Sequence, residues 1–186
     1  DALPAAVIYT AAARQSPGAQ AAASVHLRGC WNRARVSDPD AEPELKTLLE
    51  EHLRLWADAD SSDQARLWLA DRQQAAGETG AAIETWLQVR PGSKFFPDAI
   101  AQARAAVTVQ WSRPSADPAT VRVAAAEMID RLDALAADDE ASAAVVTATI
   151  AELAMRFNAA SLIRKRKGGK ADKWYVPQQQ RIKSSA

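Results

Sequence analysis

The chain has 186 residues, enough for one ordinary domain with a real core. Its 23 basic and 23 acidic residues cancel, so net charge gives no reason to expect nucleic acid or a membrane surface. Hydrophobic residues make up 48%, much of it alanine, with only 3 Phe and 2 Tyr; that composition favours closely stacked helices over a sheet.

The elements then follow in order. Leu3 to about Ala13 is an apolar stretch that stops at Ser16-Pro17-Gly18, a breaker cluster. About Ala19 to Arg35 carries Ala23, Leu27, Cys30, Trp31 and Ala34 at helical spacing, and Ser37-Asp38-Pro39-Asp40 ends it. Pro43 suits the first turn of the next helix, whose stripe is Leu45, Leu48, Leu49, His52, Leu53 and Trp56. Asp58-Ala59-Asp60 reads as a loop, with Ser61 and Gln64 as a capping box for a helix carrying Ala65, Trp68, Leu69 and Ala76. Gly77 to Gly80 is a turn, and Thr79 is the expected cap of a helix with Ala82, Ile83, Trp86, Leu87 and Val89. Pro91-Gly92 stops it. Pro97 restarts the pattern through Ile100, Ala103, Ala106, Val107 and Trp111. Asp117-Pro118 is an N-cap followed by proline, opening a stripe of Val121, Ala124, Met128, Ile129, Leu132 and Leu135. A last helix from about Glu140 uses Val146, Ile150, Leu153 and Phe157. No segment alternates with period two for long, so the expected fold is all-α.

Short loops between such helices suggest hairpins in series. Leu49 to Asp60 overlays Ala82 to Ser93 at a spacing of 33, pairing Leu53 with Trp86 and Trp56 with Val89. Helix starts at Asp63 and Asp98 are 35 apart, near the roughly 34-residue period of tetratricopeptide repeats. The segment Arg66 to Pro91 resembles one such repeat, with Leu69 and small Ala70 in the first helix, Gly77 at the turn, and Ala82 and Trp86 as the Ala-x3-aromatic pair. Arg66 and Gln73 stand where that family favours large aromatics, and Pro91 arrives about three residues early. Leu48 to Ala70 resembles bacterial solenoid proteins of the same family. The resemblance implies a right-handed solenoid of antiparallel hairpins over residues 1–157. It also implies a concave groove lined by the first helix of the repeat, here Gln64, Trp68, Asp71 and Gln74, that holds a peptide or partner protein.

The search for chemistry yields little. His26 and Cys30, four apart on one helical turn, would give a metal two ligands, but no third is evident, so they read as interior residues. Asp58 to Asp63 opens like a calcium loop, yet Leu69 stands where the closing Glu belongs. Lys167-Gly168-Gly169-Lys170 lacks the flanking residues of a phosphate loop. No nucleophile or cofactor motif is found, which points away from an enzyme. Trp31, Trp56, Trp86 and Trp111 fall on interior stripes and are expected to pack; Trp68 is divided between the groove and a half-buried position between repeats. The single cysteine excludes an internal disulfide, and no apolar run reaches the roughly 18 residues that span a bilayer. A chain opening on Asp1 is expected to be a fragment or processed product, so the compartment is left open.

One segment breaks the composition. From Asn158 to Ala186 there are 8 basic residues and one acid, leaving 15 basic and 22 acidic before it. Arg164, Lys165, Arg166, Lys167, Lys170 and Lys173 precede Trp174 and Tyr175 without an amphipathic stripe, so an extended basic arm is expected. Such an arm suits an acidic protein surface or a nucleic-acid backbone with aromatic stacking. Three functions follow: a non-catalytic scaffold or adaptor holding a protein partner, a nucleic-acid-associated assembly component anchored by the arm, and an accessory module of a larger enzyme. The first is preferred.

Overall fold

A computed structural model describes residues 2–17, 19–36, 40–135 and 139–157. Helix takes up 79% of the described residues, and no strand occurs among them. The expected all-α fold is therefore observed. The described helices are α1 (Ala2–Arg14), α2 (Gln20–Ala34), α3 (Ala41–Leu55), α4 (Asp60–Ala75), α5 (Thr79–Trp86), α6 (Phe96–Trp111), α7 (Pro118–Leu135) and α8 (Glu140–Arg156). The chain divides into two compact units, Asp1–Phe95 and Phe96–Ala186.

In the first unit each helix packs on the next, and α2 also meets α4. The α1–α2 contact is made close by small residues. A Cβ on Gly29 would stand 2.5 Å from the Thr10 methyl and 3.2 Å from the Ala6 carbonyl oxygen, so glycine is what lets the two backbones approach. Helix α2 buries a wide arc, from Ala22, His26, Gly29 and Arg33 round to Ala23, Leu27 and Cys30. Leu27 and Cys30 join Leu45 and Leu49 of α3 and Ala65 and Leu69 of α4 in one apolar cluster. Between α4 and α5, Ala70 and Ala82 are fully buried and Trp86 is nearly so. Gly77 (φ 81°) ends α4 with the backbone N–H of Glu78 donating to the Gln73 carbonyl and that of Gly77 to Gln74, the paired closure that a left-handed residue permits.

Asp63 organises the loop that enters α4. Its buried carboxylate accepts from Arg66 (2.9 Å) and from both the backbone and guanidinium of Arg90 (3.1 and 2.9 Å). Arg66 and Arg90 donate onward to the carbonyls of Ala57, Asp58 and Ala59. Two arginines thus stitch the α3–α4 loop to the segment after α5, and Asp58–Ala59 with the first turn of α4 is held by cations of the chain itself.

Three expectations are corrected. Helix α4 begins at Asp60, after Ala59, with no side-chain cap; Ser61 and Gln64 make no capping box, because the Ser61 hydroxyl lies 3.3 Å from the His52 ring. Thr79 is the first residue of α5 rather than its cap, and Glu78 precedes it without capping through its side chain. Trp31 is not interior: it is 52% exposed. The buried arc of α2 stops at Leu27 and Cys30, and Trp31 turns with Ser24 and Arg28 onto the open side. Trp56 and Trp86 are buried as expected.

The second unit packs α6 and α7 against α8. Ile100, Ala103 and Val107 of α6, Ile129 and Leu132 of α7, and Val146, Ile150 and Leu153 of α8 are buried. Arg104 and Glu152 pair between α6 and α8. Trp111 meets Phe157 edge to face, 5.2 Å between centroids, and is half-buried. Asp117 caps α7 through the Thr120 N–H (2.9 Å) and Asp139 caps α8 through that of Ser142 (2.8 Å), the arrangement expected of an acidic N-cap. No helix among the described residues is long and apolar enough to cross a membrane.

Candidate partner-binding groove

Two places in the first unit gather polar and aromatic side chains, one sealed and one open. The sealed one lies where α1, α2 and α3 meet. The His26 and His52 rings are 5.4 Å apart, and both lean on Trp56 at 5.0 and 5.5 Å. All three side chains are buried. On one side the Cys30 sulfur is 3.7 Å from His26 Nδ1, and Glu51 Oε2 is 3.4 Å from His26 Nε2 without the alignment of a hydrogen bond. Glu51 itself takes both arms of the Arg14 fork, at 2.7 and 2.6 Å, which ties α1 to α3. On the other side Ser62 donates its one hydroxyl proton to the Trp56 carbonyl. Its contact with His52 must then run the other way, so His52 carries its proton on Nε2 and shares it with Ser61 and Ser62, each 3.3 Å away.

Thiol, imidazole and carboxylate stand here in the order of a nucleophilic triad. The electrostatics run against that use. Burial pushes the Cys30 thiol up to about 12, whereas a nucleophile needs its thiol pKa lowered. Burial also depresses both imidazoles, His52 to about 4, with Glu51 only partly opposing the shift at His26. Arg14 holds the Glu51 carboxyl below its ordinary value. With Cys30 at zero exposure, no substrate reaches the sulfur. The expectation that His26 and Cys30 are interior residues holds, with the addition that they belong to a polar cluster. Among the described residues no group of three or more His, Cys, Asp and Glu is placed to hold a metal.

The open place is a cleft of about 500 Å³ between α2 and α4, within the size range of ligand-binding clefts. Helix α2 supplies Ser24, Leu27, Arg28 and Trp31; α4 supplies Ser61, Gln64 and Trp68. Trp31 and Trp68 face one another at 5.7 Å with a 30° tilt, the offset stacking that aromatic pairs prefer. Trp68 serves two surroundings at once: it packs on the Leu27–Leu49–Leu69 cluster and presents its ring to Trp31. Of the four residues expected to line a groove, Gln64 and Trp68 lie in this cleft. Asp71 and Gln74 are exposed farther along α4 and do not line it. Although Asp71 is exposed as a residue, partial desolvation of its carboxyl raises it above its ordinary value, with nearby Trp86 and Arg72 opposing the shift. The aromatic that completes the cleft, Trp31, was missed; its helical position beside exposed Ser24 and Arg28, rather than beside Leu27, was the available signal.

A second apolar cleft, of about 380 Å³, lies between α1 and α3, with Leu3, Val7, Pro43 and Leu48 on its walls. Its charged rim is already engaged: Arg14 holds Glu51 and Arg33 holds Glu44. The basic arm, Arg164 to Tyr175, lies outside the described residues. No family model, no curated protein and no solved structure matches this chain.

Proposed function

We propose that the chain is a non-catalytic scaffold whose first unit is a tetratricopeptide-like pair of hairpins, holding an extended segment of a protein partner in the α2–α4 cleft. The observation that carries this is the Trp31–Trp68 pair standing in an open cleft. Tryptophan left half-exposed in a concavity costs solvation and is the residue most often found to dominate binding energy at interfaces. The hairpin reading is supported by the packing of α2 on α3, α4 on α5 and α2 on α4; in that reading α2 and α4 are the first helices. The 33-residue overlay sets Trp56, just after α3, on Val89, the two being almost equally buried. The burial of small Ala70 and Ala82 between α4 and α5, the positive φ of Gly77 and the burial of Trp86 also support that reading. The sealed state of Cys30 supports a binding role over a chemical one.

The test is capture of partners from native extract by the full chain and by Trp31→Ala. Partners lost with the substitution, while the circular dichroism spectrum is unchanged, support the cleft. Partners retained in full would remove it. A second reading rests on the 8 basic residues of 158–186: a nucleic-acid-associated component anchored by the arm. It requires affinity for RNA or DNA that falls steeply with salt and disappears on deletion of the arm.

A further inference from the structure

The lining of the α2–α4 cleft is one-sided in its charge. Arg28 is the one charged residue in it, and no carboxylate lines it. Elsewhere in the unit Arg14, Arg33, Arg66, Arg72 and Arg90 each hold a carboxylate, whereas Arg35 and Arg54, like Arg28, form no such pair among the described residues, and of these three only Arg28 lines the cleft. Among the described residues the Arg28 guanidinium has no such partner, and neither the Gln64 amide nor the indole N–H of Trp31 or Trp68 makes a side-chain hydrogen bond. The cleft therefore presents a guanidinium fork and two indole donors around an aromatic floor, with Ser24, Ser61 and Gln64 able to donate or accept. Residues 1–157 carry 22 acids against 15 bases, so a cleft whose one charge is positive is an exception to its surroundings.

Resting on the groove reading above, we propose that the segment this cleft takes is acidic: an extended peptide that lays a ring side chain (Phe, Tyr, Trp or Pro) on Trp31 and Trp68 and sets an Asp or Glu carboxylate on Arg28. Stacking on two tryptophans supplies contact area at low conformational cost. A carboxylate on the planar guanidinium supplies direction, because two parallel N–H donors match two oxygens. A nucleic-acid strand has the anionic charge but needs a track of several cations along its backbone, and this cleft has one.

The experiment selects a displayed library of random 12-residue peptides on the immobilised full chain. Synthetic copies of the binders are then titrated by fluorescence anisotropy in physiological salt. The probes are the selected peptide, its Asp/Glu-to-amide copy and a twelve-nucleotide thymidine strand; the proteins are wild type, Arg28→Glu and Trp31→Ala. The expected result is enrichment of acids beside a ring residue, a loss of about tenfold or more in the amide copy, and the same loss in Arg28→Glu. Binders that depend on Trp31 but tolerate both the amide copy and Arg28→Glu would overturn the acidic segment and leave the groove standing. Acidic binders indifferent to both substitutions would be held by the arm instead, and both readings would fall. A thymidine strand that displaces the peptide in a Trp31-dependent way would overturn the choice of a protein ligand. No binders from the library would remove both readings.

Discussion

The two faces of α2 teach opposite lessons about reactive residues. On the buried face, His26 and Cys30 meet His52, Glu51 and Trp56 in an array that looks like chemistry. Yet Glu51 is committed to Arg14, His52 to two serine hydroxyls, and the thiol is shut away with its pKa raised. On the open face, Trp31 and Arg28 are unremarkable in sequence, but they leave an aromatic surface and a cation without partners of their own. The sealed cluster is closed by burial rather than by complete pairing, since His26 Nε2, His52 Nδ1 and Trp56 Nε1 find no hydrogen-bond partner there; it is exposed groups with bonding capacity to offer that a ligand can reach.

The largest effect belongs to the sealed side. Trp56→Ala removes the floor under both histidine rings and should cost about 3–5 kcal/mol, as should Trp86→Ala at the α4–α5 contact. Urea denaturation at neutral pH reads both. A loss under about 1 kcal/mol for Trp56→Ala would mean that the cluster is not packed as described.

Acid should open the same side. His52 has its ordinary value of 6.5 in the unfolded chain and about 4 when folded, so below 6.5 the unfolded chain binds the extra proton. Stability therefore falls as pH drops from about 6.5 toward 4 and levels off below, with His26 acting in the same direction. The groups facing the pair are Arg14 from α1, Cys30 from α2, Glu51 from α3 and Arg66 from α4. The His52 part amounts to about 2–3 kcal/mol. Thermal melts at pH 7 and pH 4.5 should show a clearly smaller decrease for His52→Gln than for wild type. Equal decreases would place the acid sensitivity elsewhere.

Next comes the contact that closes α1 over this face. Gly29→Ala gains helix propensity but drives a methyl into Thr10, and a net loss of about 1–2 kcal/mol is expected. Thr10→Ser removes the methyl that stands 2.5 Å away and should restore part of it. A Gly29→Ala protein more stable than wild type would show that α1 and α2 are not so close.

Much of the helical layout was legible because its signals are local. Pro17 and Asp117-Pro118 act within a turn of their own position, and the observed helices end and begin beside them; α5, by contrast, ends at Trp86, short of Pro91, so the expected Leu87 and Val89 lie beyond it. What was hidden depends on residues far apart. Ser61 does not cap α4 because His52, nine positions earlier, takes its hydroxyl. Arg66 is held by Asp63, which also takes Arg90, 27 residues farther on, and no local pattern announces that contact. Trp31 was misplaced because its spacing from Leu27 fits the apolar stripe, while the buried arc of α2 is centred one residue row away, on His26, Cys30 and Arg33. The resemblance named Gln64 and Trp68, which line the α2–α4 cleft, but not Trp31 across from them, since nothing local says which part of α2 faces α4.

The smallest stability effect carries the most information about function. Trp31 is more than half exposed and lies off the buried cluster, so Trp31→Ala removes one stacking contact, worth roughly 0.5–1.5 kcal/mol. A comparable buried tryptophan would cost several times that. If Trp31 were kept only for packing, its removal would be nearly silent in every assay. If it is kept for a ligand, the same substitution should leave the melting curve almost in place and abolish capture of the partner. Trp68→Ala should instead damage both, because that ring also rests on the Leu27–Leu69 cluster. The pair of substitutions is measured by urea titration and by partner capture on the same preparations. A Trp31→Ala protein that is strongly destabilised, or one that binds as wild type does, would return Trp31 to the core and leave the open face of α2 without a role.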